Sequence, residues 1–112
     1  MINKKDIIRI NQEIGETGKL LNESSMEYAL TMIKHKKSWL YELAYIVRSL
    51  LTDHAFVEGN KRTALALVLT YYEEKEIEYD KEAIAKVILQ ISKKKEKDVN
   101  KIMRMIKSAI LY

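Results

Sequence analysis

The chain contains no cysteine and no proline, and it has only three glycines among its 112 residues. Without cysteine, neither a disulfide framework nor a thiolate metal site is possible, and this fits a reducing interior. Strands and hairpins are usually punctuated by glycine and proline, so a chain this poor in both is not typical of a β-protein. The composition favours a helical protein.

Long apolar runs are also missing. No run approaches the ~20 residues that a membrane-spanning helix needs, and the N-terminal segment Met1–Asp6 is not followed by the apolar stretch of a secretory signal. With 47% hydrophobic and 32% charged residues, the sequence is typical of one soluble globular domain over residues 1–112. We expect a cytoplasmic protein that does not bind membranes.

The net charge of +4 is mild. Much of it lies in Lys93–Lys95 and Lys97, and a second basic cluster is Lys34–Lys37. Such runs are usually solvated helix ends or loops. Nucleic-acid binding would need basic residues on one face, preferably with a reading helix, and the sequence shows no such pattern. A small basic DNA-binding protein therefore ranks as the weakest interpretation.

Apolar residues recur with helical spacing through almost the whole chain, which predicts six helices. The first helix runs from about Lys4 to Ile14, and the sixth has apolar positions from Val99 to Ile110. The predicted starts of the others are Asn22 or Ser24, Ser38, Asn60 or Lys61, and Asp80.

The fourth helix is apolar nearly all round, because only Thr70 is polar between Ala64 and Tyr72. A helix of this kind is surrounded by other helices. We therefore predict an all-α fold, a compact six-helix array around this central buried helix.

The most informative feature is the run from His54 to Thr63, HAFVEGNKRT, which directly precedes the fourth helix. Free backbone N–H groups and the positive end of the dipole favour an anion at a helix N-terminus. Two adjacent cations, Lys61 and Arg62, are disfavoured there unless an anion compensates them. The run therefore predicts a phosphate-binding site.

Two side chains of this run suit group transfer. A neutral imidazole accepts a proton from an attacking hydroxyl near neutral pH, so His54 is a candidate base. Glu58 offers the hard oxygen ligand that Mg²⁺ takes beside phosphate oxygens. Phe56 should point into the core and hold the loop rigid.

The following four residues suit phosphate binding. Gly59 lets the backbone approach a phosphate or adopt a positive φ. Asn60 can cap the fourth helix and donate an amide N–H to a phosphate oxygen. Lys61 supplies a point charge, and Arg62 supplies a planar guanidinium group suited to bidentate contact. Phosphoryl and nucleotidyl transfer need mainly positioning and charge neutralisation, which these residues provide.

The run resembles the motif of the Fic/Doc family, His-x-Phe-x-(Asp/Glu)-(Gly/Ala)-Asn-(Gly/Lys)-Arg. The matching residues are His54, Phe56, Glu58, Gly59, Asn60, Lys61 and Arg62. The resemblance is tightest from Leu50 to Leu69, and the helical pattern is compatible with the family's core. It implies an enzyme that uses ATP and Mg²⁺ to modify a protein hydroxyl. His54 would be the catalytic base and Glu58 the metal ligand, and residues 59–62 would bind phosphates.

Lys61 and Leu65 stand where Fic enzymes usually have a glycine and a second arginine. The sequence Asn-Lys-Arg-Thr-Ala-Leu looks like the Doc, or death-on-curing, branch. That branch implies a kinase-type toxin that transfers the γ-phosphate to a Ser or Thr of a translation factor such as elongation factor Tu. The alternatives are a Fic-type adenylyltransferase (AMPylation) and a non-catalytic binding module of the same fold.

Three positions depart from the family patterns: Gly59 replaces the alanine of Doc, Ala55 replaces a proline common in Fic, and Lys34–Lys37 is all that remains where a β-hairpin flap is usual. No segment matches the inhibitory pattern (Ser/Thr)-x-x-x-Glu-(Gly/Asn) of some Fic proteins. The resemblance therefore implies inhibition by a separate antitoxin, as in toxin–antitoxin pairs. A protein without any inhibitor is the alternative.

Overall fold

The computed structural model describes residues 2–35 and 38–111. Within these ranges no β-sheet forms, and the only strand-like pairings are two isolated bridges. The predicted all-α, six-helix array is confirmed. The helices are α1 Lys4–Glu13, α2 Glu23–Ile33, α3 Trp39–Leu51, α4 Asn60–Glu74, α5 Lys81–Lys94 and α6 Val99–Lys107.

The helix starts follow local capping chemistry. Asn22 caps α2 by accepting from the N–H of Ser25, and Asp80 caps α5 by accepting from the N–H of Ala83. The predicted start at Asp80 is confirmed, and of the two alternatives for α2 the structure selects Asn22. Ser38 precedes α3 as expected, but its side chain makes no capping hydrogen bond. The side-chain oxygens of Asn22 and Asp80 thus satisfy backbone donors that the first helical turn leaves without partners.

Two helices share the centre of the molecule. The apolar α4 packs against α1, α3 and α5, as its sequence predicts, and α3 packs against α2, α4, α5 and α6. From Leu43 to Leu51 every residue of α3 except Arg48 is buried. The motif therefore lies between the buried end of α3 and the first turn of α4, in which Thr63 is buried.

The sixth helix is shorter than its apolar spacing predicts. It ends at Lys107, and the chain beyond it pairs with the segment between α4 and α5. Asp80 donates its N–H to the carbonyl of Ala109 at 2.9 Å, and Leu111 donates to Glu78 at 2.8 Å. The prediction of helix through Ala109 and Ile110 is wrong, because this long-range pairing takes the backbone groups that a longer helix would use.

A second short pairing holds the motif loop. Leu20 lies opposite Phe56 in an antiparallel bridge. Leu21 donates its N–H to Ala55 at 2.7 Å, and Val57 donates to Lys19 at 3.0 Å. The loop between α3 and α4 is therefore bound to the chain between α1 and α2.

Of the basic cluster Lys34–Lys37, Lys36 and Lys37 lie outside the described residues. Lys34 and His35 are exposed at the end of α2. None of the helices in the described chain has the length and apolar character needed to cross a bilayer.

Candidate active site

An open groove of about 470 Å³ lies at the N-terminus of α4. It brings together the side chains that the sequence singled out, and Glu16 from the loop after α1 joins them. The predicted residues in its lining are His54, Glu58, Gly59, Asn60, Lys61 and Arg62.

His54 is exposed and has a left-handed backbone, with φ of +50°. The turn after α3 imposes this conformation, since Asp53 donates its N–H to Arg48 and Ala55 donates to Ser49. Ala55 and Phe56 are fully buried directly after it. The imidazole forms no hydrogen bond to the described residues, so both ring nitrogens remain available in the groove.

Phe56 is fully buried, as predicted, and the side chain of Asn60 fixes its backbone. The Phe56 N–H donates to Oδ1 of Asn60, and Nδ2 of Asn60 donates to the Phe56 carbonyl, both at 2.9 Å. The prediction that Asn60 caps α4 is wrong, because Gly59 is the N-cap and Asn60 is the first helical residue. An amide nitrogen carries two hydrogens, so one remains for a ligand.

Gly59 has φ of +79°, a conformation that side chains with a Cβ rarely adopt. A Cβ at this position would also lie 2.5 Å from Cγ of Glu16. The loop after α1 therefore rests directly on the backbone at the start of α4, and only glycine fits between them.

Both cations of the motif lie in the first turn of α4 and are exposed. Arg62 donates one guanidinium N–H to the carbonyl of Ile14 at the end of α1. In the part of the chain that the structure describes, neither Lys61 nor Arg62 forms a salt bridge, and the first turn of α4 has no acidic residue. The helix N-terminus therefore brings two cations without ion-pair partners to a groove that Glu16 and Glu58 also line.

The Glu58 carboxylate is exposed and makes no hydrogen bond or ion pair within residues 2–35 and 38–111. These residues contain no group of three or more His, Cys, Asp or Glu side chains that could hold a metal ion. Mg²⁺ binds through one or two carboxylates together with water and phosphate oxygens. One free carboxylate beside the N-terminus of α4 fits an ion that would arrive with a nucleotide, rather than one held by protein ligands alone.

Asn11 is a site residue that the sequence interpretation missed. It is 1% exposed. Its Nδ2 donates to the Glu58 carbonyl at 3.1 Å and to Oγ1 of Thr63 at 3.0 Å, and its Oδ1 accepts from the N–H of Gly18 at 2.8 Å. The available signal was its place four residues after the buried Ile7, on a helix face that is otherwise apolar.

Leu65 is at the position of the second arginine of the Fic pattern. It is partly buried, packs against the core and does not line the groove. The second cation of that pattern is therefore absent from this position, and the charge that α4 offers to the groove comes from its first turn.

The family model described as "Fic/DOC family" matches residues 12–72, just over half of the chain. The matched segment runs from the end of α1 into the last turn of α4 and contains every predicted site residue. Searches of curated proteins and of solved structures give no significant match.

Proposed function

The chain belongs to the Fic/DOC family, and we propose that it transfers a phosphate-containing part of ATP to a hydroxyl group of another protein. One observation carries this proposal: an exposed histidine, a free carboxylate and the N-terminus of α4, with two cations that form no salt bridge within the described residues, line the same groove. A base beside an anion site is the minimum that such a transfer needs.

Each side chain then has a defined task. His54 accepts the proton of the attacking hydroxyl. The backbone N–H groups at the start of α4, together with Gly59, Asn60, Lys61 and Arg62, bind the phosphates. Glu58 would hold Mg²⁺ that enters with the nucleotide, and the bound ion would supply charge neutralisation at the phosphate oxygens.

We propose γ-phosphate transfer, as in the Doc branch. The target oxygen forms a bond to the γ-phosphorus while the bond from that phosphorus to the β–γ bridging oxygen breaks. ADP leaves, and the hydroxyl proton passes to His54. Lys61 in the first turn of α4 and the core-packed Leu65 support this choice, because both alter the set of cations that determines which phosphate is held.

The target and the control of this activity follow from the resemblance. The substrate would be a Ser or Thr of a translation factor of the elongation factor Tu type, in the cytoplasm. Because the chain has no segment with the inhibitory glutamate pattern, a cognate antitoxin would inhibit the enzyme in trans. The protein would then be the toxin of a toxin–antitoxin pair.

Labelled ATP tests the reaction directly. We expect that purified protein, Mg²⁺ and a cell extract transfer label to protein from γ-labelled ATP and not from α-labelled ATP. Transfer only from the α position would overturn the kinase proposal and identify AMP transfer. Transfer from neither position would favour the non-catalytic binding module.

The chain offers a matched control, because His35 is its other histidine and is exposed at the end of α2. His54→Ala should reduce label transfer by a factor of about 100 or more, since a general base usually contributes about 100-fold to 10,000-fold. His35→Ala should retain the wild-type rate. Equal rates for the two variants would remove His54 from its proposed role.

A further inference from the structure

The backbone conformation of His54 needs support from outside the residue. A left-handed conformation costs a residue with a Cβ roughly 1–2 kcal/mol, and such a conformation persists only where the surrounding contacts fix it. His54 itself provides none of these contacts, because its imidazole is exposed and makes no hydrogen bond within the described residues. The support must come from the peptide groups on either side.

Asn22 makes hydrogen bonds to the backbone on both sides of His54. Its Nδ2 donates to the carbonyl of Asp53 at 3.1 Å, and its backbone N–H donates to the carbonyl of Ala55, also at 3.1 Å. These carbonyls belong to the residues immediately before and after His54. The remaining polar atom of the side chain, Oδ1, accepts from Ser25 and caps α2.

A polar network behind His54 strengthens the same connection. Oγ of Ser25 donates to the carboxylate of Asp53 at 2.7 Å and lies 2.9 Å from Oγ of Ser49. The Ser49 carbonyl in turn accepts the N–H of Ala55. The first turn of α2 is thus bonded to the last turn of α3 and to Asp53, the residue directly before the exposed histidine.

We infer that Asn22 is a positioning residue for His54, and this inference rests on the proposed function. The imidazole can accept a proton only if it stays within hydrogen-bond reach of the attacking hydroxyl. Phosphate binding depends on a different anchor, the start of α4. Loss of the Asn22 contact should therefore slow the chemical step and leave nucleotide binding intact.

Asn22→Ser separates the two tasks of this side chain. Serine retains an oxygen that caps a helix about as well as asparagine, but it has no amide group to reach the carbonyl of Asp53. Asn3→Ser is the matched control, because Asn3 caps α1 in the same way and, within residues 2–35 and 38–111, makes no hydrogen bond to the motif loop.

We expect Asn22→Ser to lower kcat about tenfold, because even small displacements of a catalytic group cost large factors in rate. Its nucleotide KM should stay within about twofold of wild type, and Asn3→Ser should match wild type in both constants. A wild-type kcat in Asn22→Ser would overturn the inference. So would parallel losses of kcat and nucleotide affinity, which indicate general damage to the groove.

NMR spectroscopy gives a second measurement that does not need activity. In a His35→Gln background His54 is the only histidine, so its imidazole and backbone resonances can be followed selectively. Asn22→Ser should shift the His54 carbon resonances away from left-handed values, whereas Asn3→Ser should not. Unchanged His54 resonances would overturn the positioning role even in an active enzyme. An inactive wild-type protein with the expected NMR difference would instead overturn the proposed function alone.

Discussion

Asn60 and Phe56 exchange two hydrogen bonds of 2.9 Å, one in each direction between an amide side chain and a peptide backbone. The bonds close the loop that carries Glu58 and Gly59. Asn60 thus shapes the loop as well as lying in the groove. Its side chain holds the loop by hydrogen bonds that need no ligand. The side chain of Lys61 makes no such bond within the described residues.

Substitution of Asn60 should therefore weaken the fold and not only ligand binding. Asn60→Ala leaves both polar groups of Phe56 without their partner, and we expect it to lower the free energy of unfolding by about 1–3 kcal/mol. Asn60→Asp keeps the acceptor for the Phe56 N–H and should cost less. Urea unfolding followed by circular dichroism measures both variants. Unchanged stability with weaker nucleotide binding would assign Asn60 to the ligand alone.

Asn11 and Thr63 allow a comparison of the buried contacts beneath Glu58. Asn11→Leu removes the partners of the Glu58 carbonyl, the Thr63 hydroxyl and the Gly18 N–H, and should cost about 3 kcal/mol or more in unfolding free energy. Thr63→Val removes one of these contacts and should cost about 1 kcal/mol. Thermal and urea unfolding give the two values. Equal losses would mean that the contacts of Asn11 with the Glu58 carbonyl and the Gly18 N–H together add nothing to stability.

Gly59→Ala should destabilise the protein for two separable reasons. The backbone φ of +79° disfavours alanine by about 1–2 kcal/mol, and the added Cβ must displace Glu16. Glu16→Ala removes the obstructing Cγ, so it should recover part of the loss in the Gly59→Ala background and nothing in the wild type. A double-mutant cycle of unfolding free energies measures this coupling. Strict additivity would show that Glu16 moves aside without cost.

The lowered pKa of Glu96 predicts that the stability of the protein depends on pH. The N–H of Asp98, an ion pair with Lys101 and the N–H of Lys97 hold the pKa of the Glu96 carboxyl below its ordinary value of 4.5. A lowered pKa in the folded state stabilises the protein above pH 4.5, and this contribution is lost as the pH falls through the lowered value.

The substitution Glu96→Gln removes this contribution. The difference in thermal midpoint between wild type and Glu96→Gln should therefore be fully present at pH 6 and narrow below pH 4.5. Midpoints measured from pH 7 to pH 3 at low salt test this expectation. A difference that stays constant across the range would show that the charge of Glu96 contributes no stability.

The helices and the motif residues that line the groove were predictable, because the sequence signals for both are local. Asn22 and Asp80 cap the helices that directly follow them, and His54 to Arg62 form one run in front of α4. A contiguous run at a helix start comes together whenever that helix forms. The nearly uniform apolar character of residues 64–72 likewise indicated that α4 is buried.

The supporting contacts were not predictable, because they join residues far apart in sequence. Asn11 meets Glu58 across 47 positions, and Asn22 meets Asp53 across 31. The residues next to an asparagine in the sequence do not indicate which distant carbonyl its side chain will bind. The end of α6 shows the same limit, since Ile110 continues the apolar spacing while its backbone pairs with the segment before α5.

The supporting contacts of Asn11 and Asn22 also affect how related sequences should be classified as enzymes or pseudoenzymes. A search that scores only the run from His54 to Arg62 would accept any chain that keeps those letters. A relative with apolar residues at the positions of Asn11 and Asn22 would have the same motif sequence, but its loop would lack the hydrogen bonds that these two side chains make. Positions 11 and 22 should therefore be inspected together with the motif before catalytic competence is assigned to such a relative.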